Sequence, residues 1–154
     1  MKKLRLYTTI TALLFCLSAC STIETYRDKG LSFEASKRGV AVSYQEPIFV
    51  KGSPALTPEG EIFVDQLAKL MKNKSSRNAL IEIEHEKIGS RALNNELYEV
   101  RSLSLMKALV ERGIDKYRLA FVNINHKKGV YPPSSRLIFL DEDIRDFERP
   151  TLAP

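Results

Sequence analysis

The chain has 154 residues, with 24 Lys and Arg against 19 Asp and Glu, two histidines and a formal charge of +5. Lys2, Lys3 and Arg5 account for three of those charges and no acid stands before position 20, so the chain from Cys20 onward carries only +2. So even a balance offers no basic stripe for nucleic acid, and the remaining length suits one compact domain with a short tether.

The first residues set the compartment. A basic start is followed by the apolar run from Leu6 to Leu17, the layout of a secretory signal and too short for a permanent membrane span. The run ends in Leu17-Ser18-Ala19-Cys20, which resembles the lipobox of bacterial lipoproteins. That resemblance implies removal of residues 1–19, acylation of Cys20 and anchoring in a membrane. Ser21, in place of Asp, implies the outer one. Cys16 would leave with the signal, so Cys20 would be the lone thiol of an exported chain, which fits modification better than a disulfide. Several acyl chains give the stable anchoring that a single chain does not.

Residues 20–37 are polar and weakly periodic and are expected to form the tether; the domain is expected over 38–141. Gly39 to Tyr44 alternates Val40, Val42 and Tyr44 and predicts a half-buried strand. "PIFVKGSPAL" predicts an extended piece and a loop. Thr57, Pro58 and Glu59 then give an N-cap, a first helical proline and an acidic first turn. The helix runs on through "EIFVDQLAKLMKN", with Ile62, Phe63, Leu67, Leu70 and Met71 as its apolar side. "ALIEIEH" alternates again, with Ala79, Ile81 and Ile83 on one face and Glu82 and Glu84 on the other. A second helix is expected from Arg91 to Arg112, closed by Gly113. "YRLAFVNI" predicts the next strand, "GVYPPSS" a loop and "RLIFLD" the last strand. Residues 142–154 form an acidic, proline-ended tail. The order strand, helix, strand, helix, strand, strand predicts an α/β sandwich, a mixed sheet with two helices packed on one face.

Glu84, His85 and Glu86 could suggest a metal site. Consecutive strand residues point to opposite faces, however, and His126, the other histidine, is far away in sequence. "HEKIG" also lacks the second histidine of a zinc-binding HExxH helix. No metal or other cofactor is expected. Neither is catalysis, because no nucleophile with a base partner is visible.

The second helix carries more information. At about 100° per residue, Asn94, Leu97, Arg101, Leu105, Ala108 and Leu109 share one side. Arg101 is therefore set in an apolar stripe, where a guanidinium requires acceptors. Glu86, at the exit of the preceding strand, is the nearest carboxylate in sequence. Two arrangements satisfy this reasoning. One is a direct Glu86–Arg101 salt bridge that locks strand to helix. The other is an open cleft whose fixed carboxylate and guanidinium suit a zwitterionic ligand.

At this point the residues match a family. From "GVAVSYQEPIFVKGSPALTPEG" to "RLIFL", about residues 38 to 140, the chain resembles the OmpA-like peptidoglycan-associated domains. "IFVKGSPALTPEG" matches the pattern F-x-x-G-S-x-x-L-x-P-x-G, and "NNELYEVRS" matches N-x-x-L-S-x-x-R-A. "RGI" matches the helix exit, and "SRLIF" stands where the family has R-R-V-E-I. The resemblance implies a β-α-β-α-β-β domain that binds the diaminopimelate of a peptidoglycan stem peptide. Glu86 would meet its ammonium and Arg101, 15 residues on, its carboxylate, with Asn94 adding hydrogen bonds and Arg136 in support. Ile83-Glu84-His85-Glu86 replaces the family's G-H-T-D, Tyr98 and Ser102 its Ser and Ala, and Ser135 the first arginine of its pair. The expected protein is a non-catalytic outer-membrane lipoprotein that anchors an envelope assembly to the wall. The alternative is a diverged domain that has lost the ligand and docks on proteins of an envelope or secretion complex, such as a type IV secretion system.

Overall fold

In the computed structural model the described residues are 30–74, 76–84, 86–121 and 134–141. They form a five-stranded sheet with two helices. In chain order these are β1 (Leu31–Ser36), β2 (Gly39–Tyr44), α1 (Pro58–Asn73), β3 (Ala79–Glu82), α2 (Arg91–Glu111), a 3-10 turn (Lys116–Arg118), β4 (Leu119–Phe121) and β5 (Arg136–Leu140). The sheet order is β1-β2-β5-β3-β4. The last strand lies in the middle, antiparallel to both β2 and β3. β3 and β4 run parallel, a pairing that requires a crossover, and α2 supplies it. The α+β class with a mixed sheet is as the sequence indicates.

The tether expectation needs correction. The segment 20–37 holds strand β1, so the sheet begins at Leu31 rather than at Gly39. β1 occupies one edge of the sheet, where only Leu31 is fully buried. An edge strand half open to solvent leaves a faint alternation in its sequence. Its turn to β2 is closed by the Arg38 N–H, which donates to Ser36 Oγ at 3.1 Å. Gly39 follows with φ +140°, and a Cβ there would collide with the Phe139 carbonyl. The inward alternation of β2 also differs: Ala41 and Val42 are buried while Val40 is 45% exposed.

Register explains why the middle strands are apolar throughout. Ala41, Ile138, Leu80 and Ala120 align across β2, β5, β3 and β4, and Val42, Leu137, Ile81 and Phe121 form the next row. All eight are buried, and since neighbouring strand residues point to opposite faces, both faces of the sheet are covered along these two rows. The alternation expected for β3 is overridden by Leu80, which is as fully enclosed as its neighbours.

α1 begins as the sequence indicates. Thr57 Oγ1 accepts from the Gly60 N–H at 2.9 Å, Pro58 needs no donor at the first position, and Glu59 and Glu61 face the positive end of the helix. Phe63, Leu67 and Met71 point fully inward, as do Leu105 and Leu109 of α2. Ile62, expected on the apolar side of α1, is 49% exposed instead. The two helices are tied at the surface by Arg112, which donates to Asp65 at 2.5 Å and Glu61 at 2.6 Å. Gly113 ends α2 with φ +83°. Arg118 closes the other end of α1 by donating to the carbonyls of Met71, Lys74 and Arg77. Of the expected third strand, residues 119–121 are extended, 117 and 118 belong to the 3-10 turn, and 122–124 lie outside the described residues. Cys20 and residues 1–29, the loop "GVYPP" and the tail 142–154 lie outside the described residues.

Candidate functional site: the Glu86–Arg101 pair

Two loops meet at one end of the sheet. The first joins β2 to α1. Ile48 accepts from the Thr57 N–H, Val50 donates to the Ala55 carbonyl, and Ser53 donates back to the Val50 carbonyl at 3.0 Å. This tightens residues 50–53 into a turn with Gly52 at φ +66°, a region that favours glycine. The second loop joins β3 to α2 and is shaped by one side chain. Asn94 Oδ1 accepts from the N–H groups of Ile88 (2.9 Å) and Gly89 (3.1 Å), and its Nδ2 donates to the Gly89 carbonyl at 3.3 Å. Ser90 caps α2 through the Leu93 N–H.

Arg101 links the two loops. Its Nε donates to the Ser53 carbonyl at 2.9 Å, and its Nη2 donates to the Val50 carbonyl at 3.0 Å and to Glu86 Oε2 at 2.5 Å. The guanidinium also lies over the Phe49 ring, 5.1 Å from its centroid, a cation–π contact. Removing a guanidinium from water costs several kcal/mol. Two carbonyls, a carboxylate and an aromatic face offset that cost, so Arg101 is stable at 5% exposure. Glu86 in turn accepts the Gly52 N–H on both oxygens, at 3.2 and 3.1 Å. Partial burial pushes its carboxyl up. The Gly52 N–H, the Arg101 hydrogen bond and charge, and the charge of Lys51 outweigh that and hold it below its usual range. Glu86 is therefore ionised at neutral pH.

The structure thus brings Glu86 and Arg101 together and uses Asn94 to hold the loop that presents Glu86. Of the two arrangements the sequence left open, the described geometry is the direct bridge. Arg136 is engaged elsewhere: its Nε and Nη2 both reach Glu82 Oε2 at 2.8 Å, across the β3–β5 register, with Arg38 3.8 Å from the other oxygen. Gly52, Ser53, Val50 and Phe49 belong to the site and were not singled out as site residues from sequence. The signal available for them was the Gly-Ser turn in "IFVKGSPAL". Tyr98, beside this end of β3, is buried, and its hydroxyl is hydrogen bonded to the Ile83 backbone; desolvation pushes the phenol up to about 12. Among the described residues no group of three or more His, Cys, Asp and Glu side chains could hold a metal ion.

The architecture is that of the OmpA-like domains. Among solved structures, the chain is similar to an outer membrane protein from Borrelia burgdorferi B31, at 21% identity with a TM-score of 0.58, covering 73% of this chain and 99% of that one. It is also similar to the periplasmic domain of Helicobacter pylori MotB, at 18% identity with a TM-score of 0.57, covering 77% and 89%. A MotB-like protein from Desulfovibrio vulgaris matches at 16% identity and a TM-score of 0.54, covering 78% and 92%. No family model matches the sequence, and no curated protein matches it. At these identities the likeness defines the fold.

Proposed function

We propose that this chain is a non-catalytic lipoprotein of the bacterial envelope, acylated at Cys20 and held at the outer membrane. Its OmpA-like domain faces the periplasm and docks non-covalently on peptidoglycan. The observation that carries the reading is the meeting of Glu86 and Arg101 at the loop end of this fold, with Asn94 holding the loop between them. An ionised carboxylate beside a guanidinium suits the diaminopimelate of a stem peptide. The solved structures lend support, since one similar domain is the periplasmic part of MotB and another is an outer membrane protein.

Co-sedimentation of the protein with purified sacculi tests this. The full-length protein is expected in the pellet, and Glu86→Gln is expected to weaken retention about tenfold, the loss of one charge-assisted contact. Absence from the pellet under all salt conditions would overturn wall docking.

A second reading is favoured by the closed state of the bridge. Arg101 is held by Ser53, Val50 and Glu86 at once, the arrangement of a structural interlock. On this reading the domain keeps the fold and docks on protein subunits of an envelope or secretion complex. Co-purification with such subunits, unchanged by Glu86→Gln, would favour it over wall docking.

A further inference from the structure

Resting on the reading of Cys20 as a membrane anchor, we infer that the end of the domain opposite the Glu86–Arg101 pair is a second, non-covalent membrane contact. Its lysines and Tyr117 sit on a lipid surface that carries anionic headgroups.

The strand directions define that end. Gly39 pairs with Leu140, and the Leu140 N–H donates to the Asn78 carbonyl just ahead of β3. The β1–β2 turn, the end of β5 and the start of β3 therefore lie together. The end of α1 and the 3-10 turn join them through Arg118, which donates to the carbonyls of Met71, Lys74 and Arg77. β3 runs from here to Glu82, so Glu86 stands at the far end.

Lys37, Lys69, Lys72, Lys74 and Lys116 are exposed at this end or on its rim. None of the five has a carboxylate partner among the described residues. The acids nearby are engaged otherwise: Asp141 by Arg77, Glu111 by Lys107, and Asp115 by the Tyr117 N–H. At the loop end, by contrast, Arg101 and Arg136 are each matched by a carboxylate. Beyond Asp141 the sequence adds four acids and two arginines as far as Arg149, which leaves the five lysines in excess.

The kind of cation points to the kind of partner. Arg118 is used as a staple on backbone carbonyls, whereas the lysines are compact charges on flexible stems. Such charges suit a surface of many mobile phosphates rather than one anion read in a fixed geometry. Tyr117 is 59% exposed among them, with Lys116 Nζ 5.4 Å from its ring centroid. An amphipathic ring rimmed by cations matches the headgroup layer of a membrane. The anchor supplies proximity. Ten residues separate Cys20 from Leu31 and can span at most about 35 Å, so an acylated chain holds the domain near the headgroups at high effective concentration. A basic patch added to acyl chains is an established combination for firm membrane attachment. With this end on the lipid, Glu86 and Arg101 face away from the membrane.

The chain has no tryptophan, so Tyr117→Trp makes this end report its own surroundings. Ile62→Trp, at a 49% exposed position near the start of α1, is the control at the other end. The full-length protein is reconstituted into phosphatidylethanolamine vesicles with or without about 30% phosphatidylglycerol. On the anionic vesicles the Tyr117→Trp emission is expected to move to shorter wavelength and to be quenched by brominated lipid. Both effects should vanish on phosphatidylethanolamine alone and in about 0.5 M salt, and Ile62→Trp should show neither. Adding Lys72→Glu, Lys74→Glu and Lys116→Glu to the reporter should abolish both effects and leave the thermal midpoint unchanged. Emission that stays unmoved on anionic vesicles, while the protein floats with them in high salt, would overturn the inference and leave the anchor standing. Flotation lost in high salt, with the emission shift present in low salt, would overturn acyl anchoring and leave the lipid contact. A shift with soluble polyglutamate and none with vesicles would assign this end to an acidic protein and overturn the inference, as would a shift that survives the three charge reversals.

Discussion

Arg101 donates to Glu86 at 2.5 Å although one residue lies in the loop after β3 and the other nearly three turns into α2. The contact crosses a loop that Asn94 draws tight, and it pins a second loop through Ser53, Val50 and Gly52. One ion pair therefore fixes three chain segments. Arg101→Ala is expected to lower unfolding free energy by about 3–5 kcal/mol, the usual range for orphaning one partner of a buried pair. Glu86→Ala should cost less, because Glu86 is the more exposed partner. Urea unfolding of both variants and the double variant checks this: the double variant should be clearly more stable than the sum of the two losses.

Acid should weaken this contact in a defined direction. The Glu86 carboxyl is held below its ordinary value of 4.5 in the folded state. A depressed folded value gives stability that is complete above the unfolded value and is lost as pH falls through the folded one. The pair should thus contribute fully at pH 6 to 8 and fade only below about pH 4.5. Thermal melts between pH 7 and pH 3 should show a shallower acid decline in Glu86→Gln than in the parent protein.

Asn94 is expected to act through the loop it holds. Asn94→Ala releases the N–H groups of Ile88 and Gly89, at about 1–2 kcal/mol for the lost hydrogen bonds. Amide exchange at these two residues should rise well above that of the α2 interior. Retention on sacculi should fall with it if the placement of Glu86 governs docking.

Gly60 makes a sharper case. It lies in the first turn of α1 against the Ile48 backbone, and an added Cβ would overlap the Ile48 carbonyl oxygen. Backbone cannot yield as a flexible side chain does, so Gly60→Ala is expected to destabilise by about 1–3 kcal/mol or more despite its better helix propensity. Chemical denaturation reads the loss, and Gly52→Ala offers a comparison with open space but a left-handed backbone.

Local chemistry was legible in the sequence where it was self-contained. Thr57 and Pro58 mark the start of α1, Gly113 marks the end of α2, and the bounds of β2 follow from its residues. The pairing of Glu86 with Arg101 was also within reach, since one helical stripe and one strand exit specify it. Non-local pairing was not. β1 gives a weak pattern because it is an edge strand, and nothing in "RLIFLD" reveals that it belongs between β2 and β3. The acceptors of Arg101 were hidden for the same reason. Two are backbone carbonyls 48 and 51 positions away, and a carbonyl has no letter of its own in a sequence. For Arg136, proximity in register decided the outcome, because Glu82 is its direct cross-strand partner.

The central place of β5 has a consequence for how the domain is made. β2 and β3 touch no common strand except β5, which ends at Leu140. A chain emerging N-terminus first can pair β1 with β2 and β3 with β4, but these halves stay unjoined until β5, through Leu140, is available. Long-range closure of this kind is slow. A chain that lacks its last strand therefore leaves both halves of the sheet with an open edge, and the fold closes only when β5 arrives.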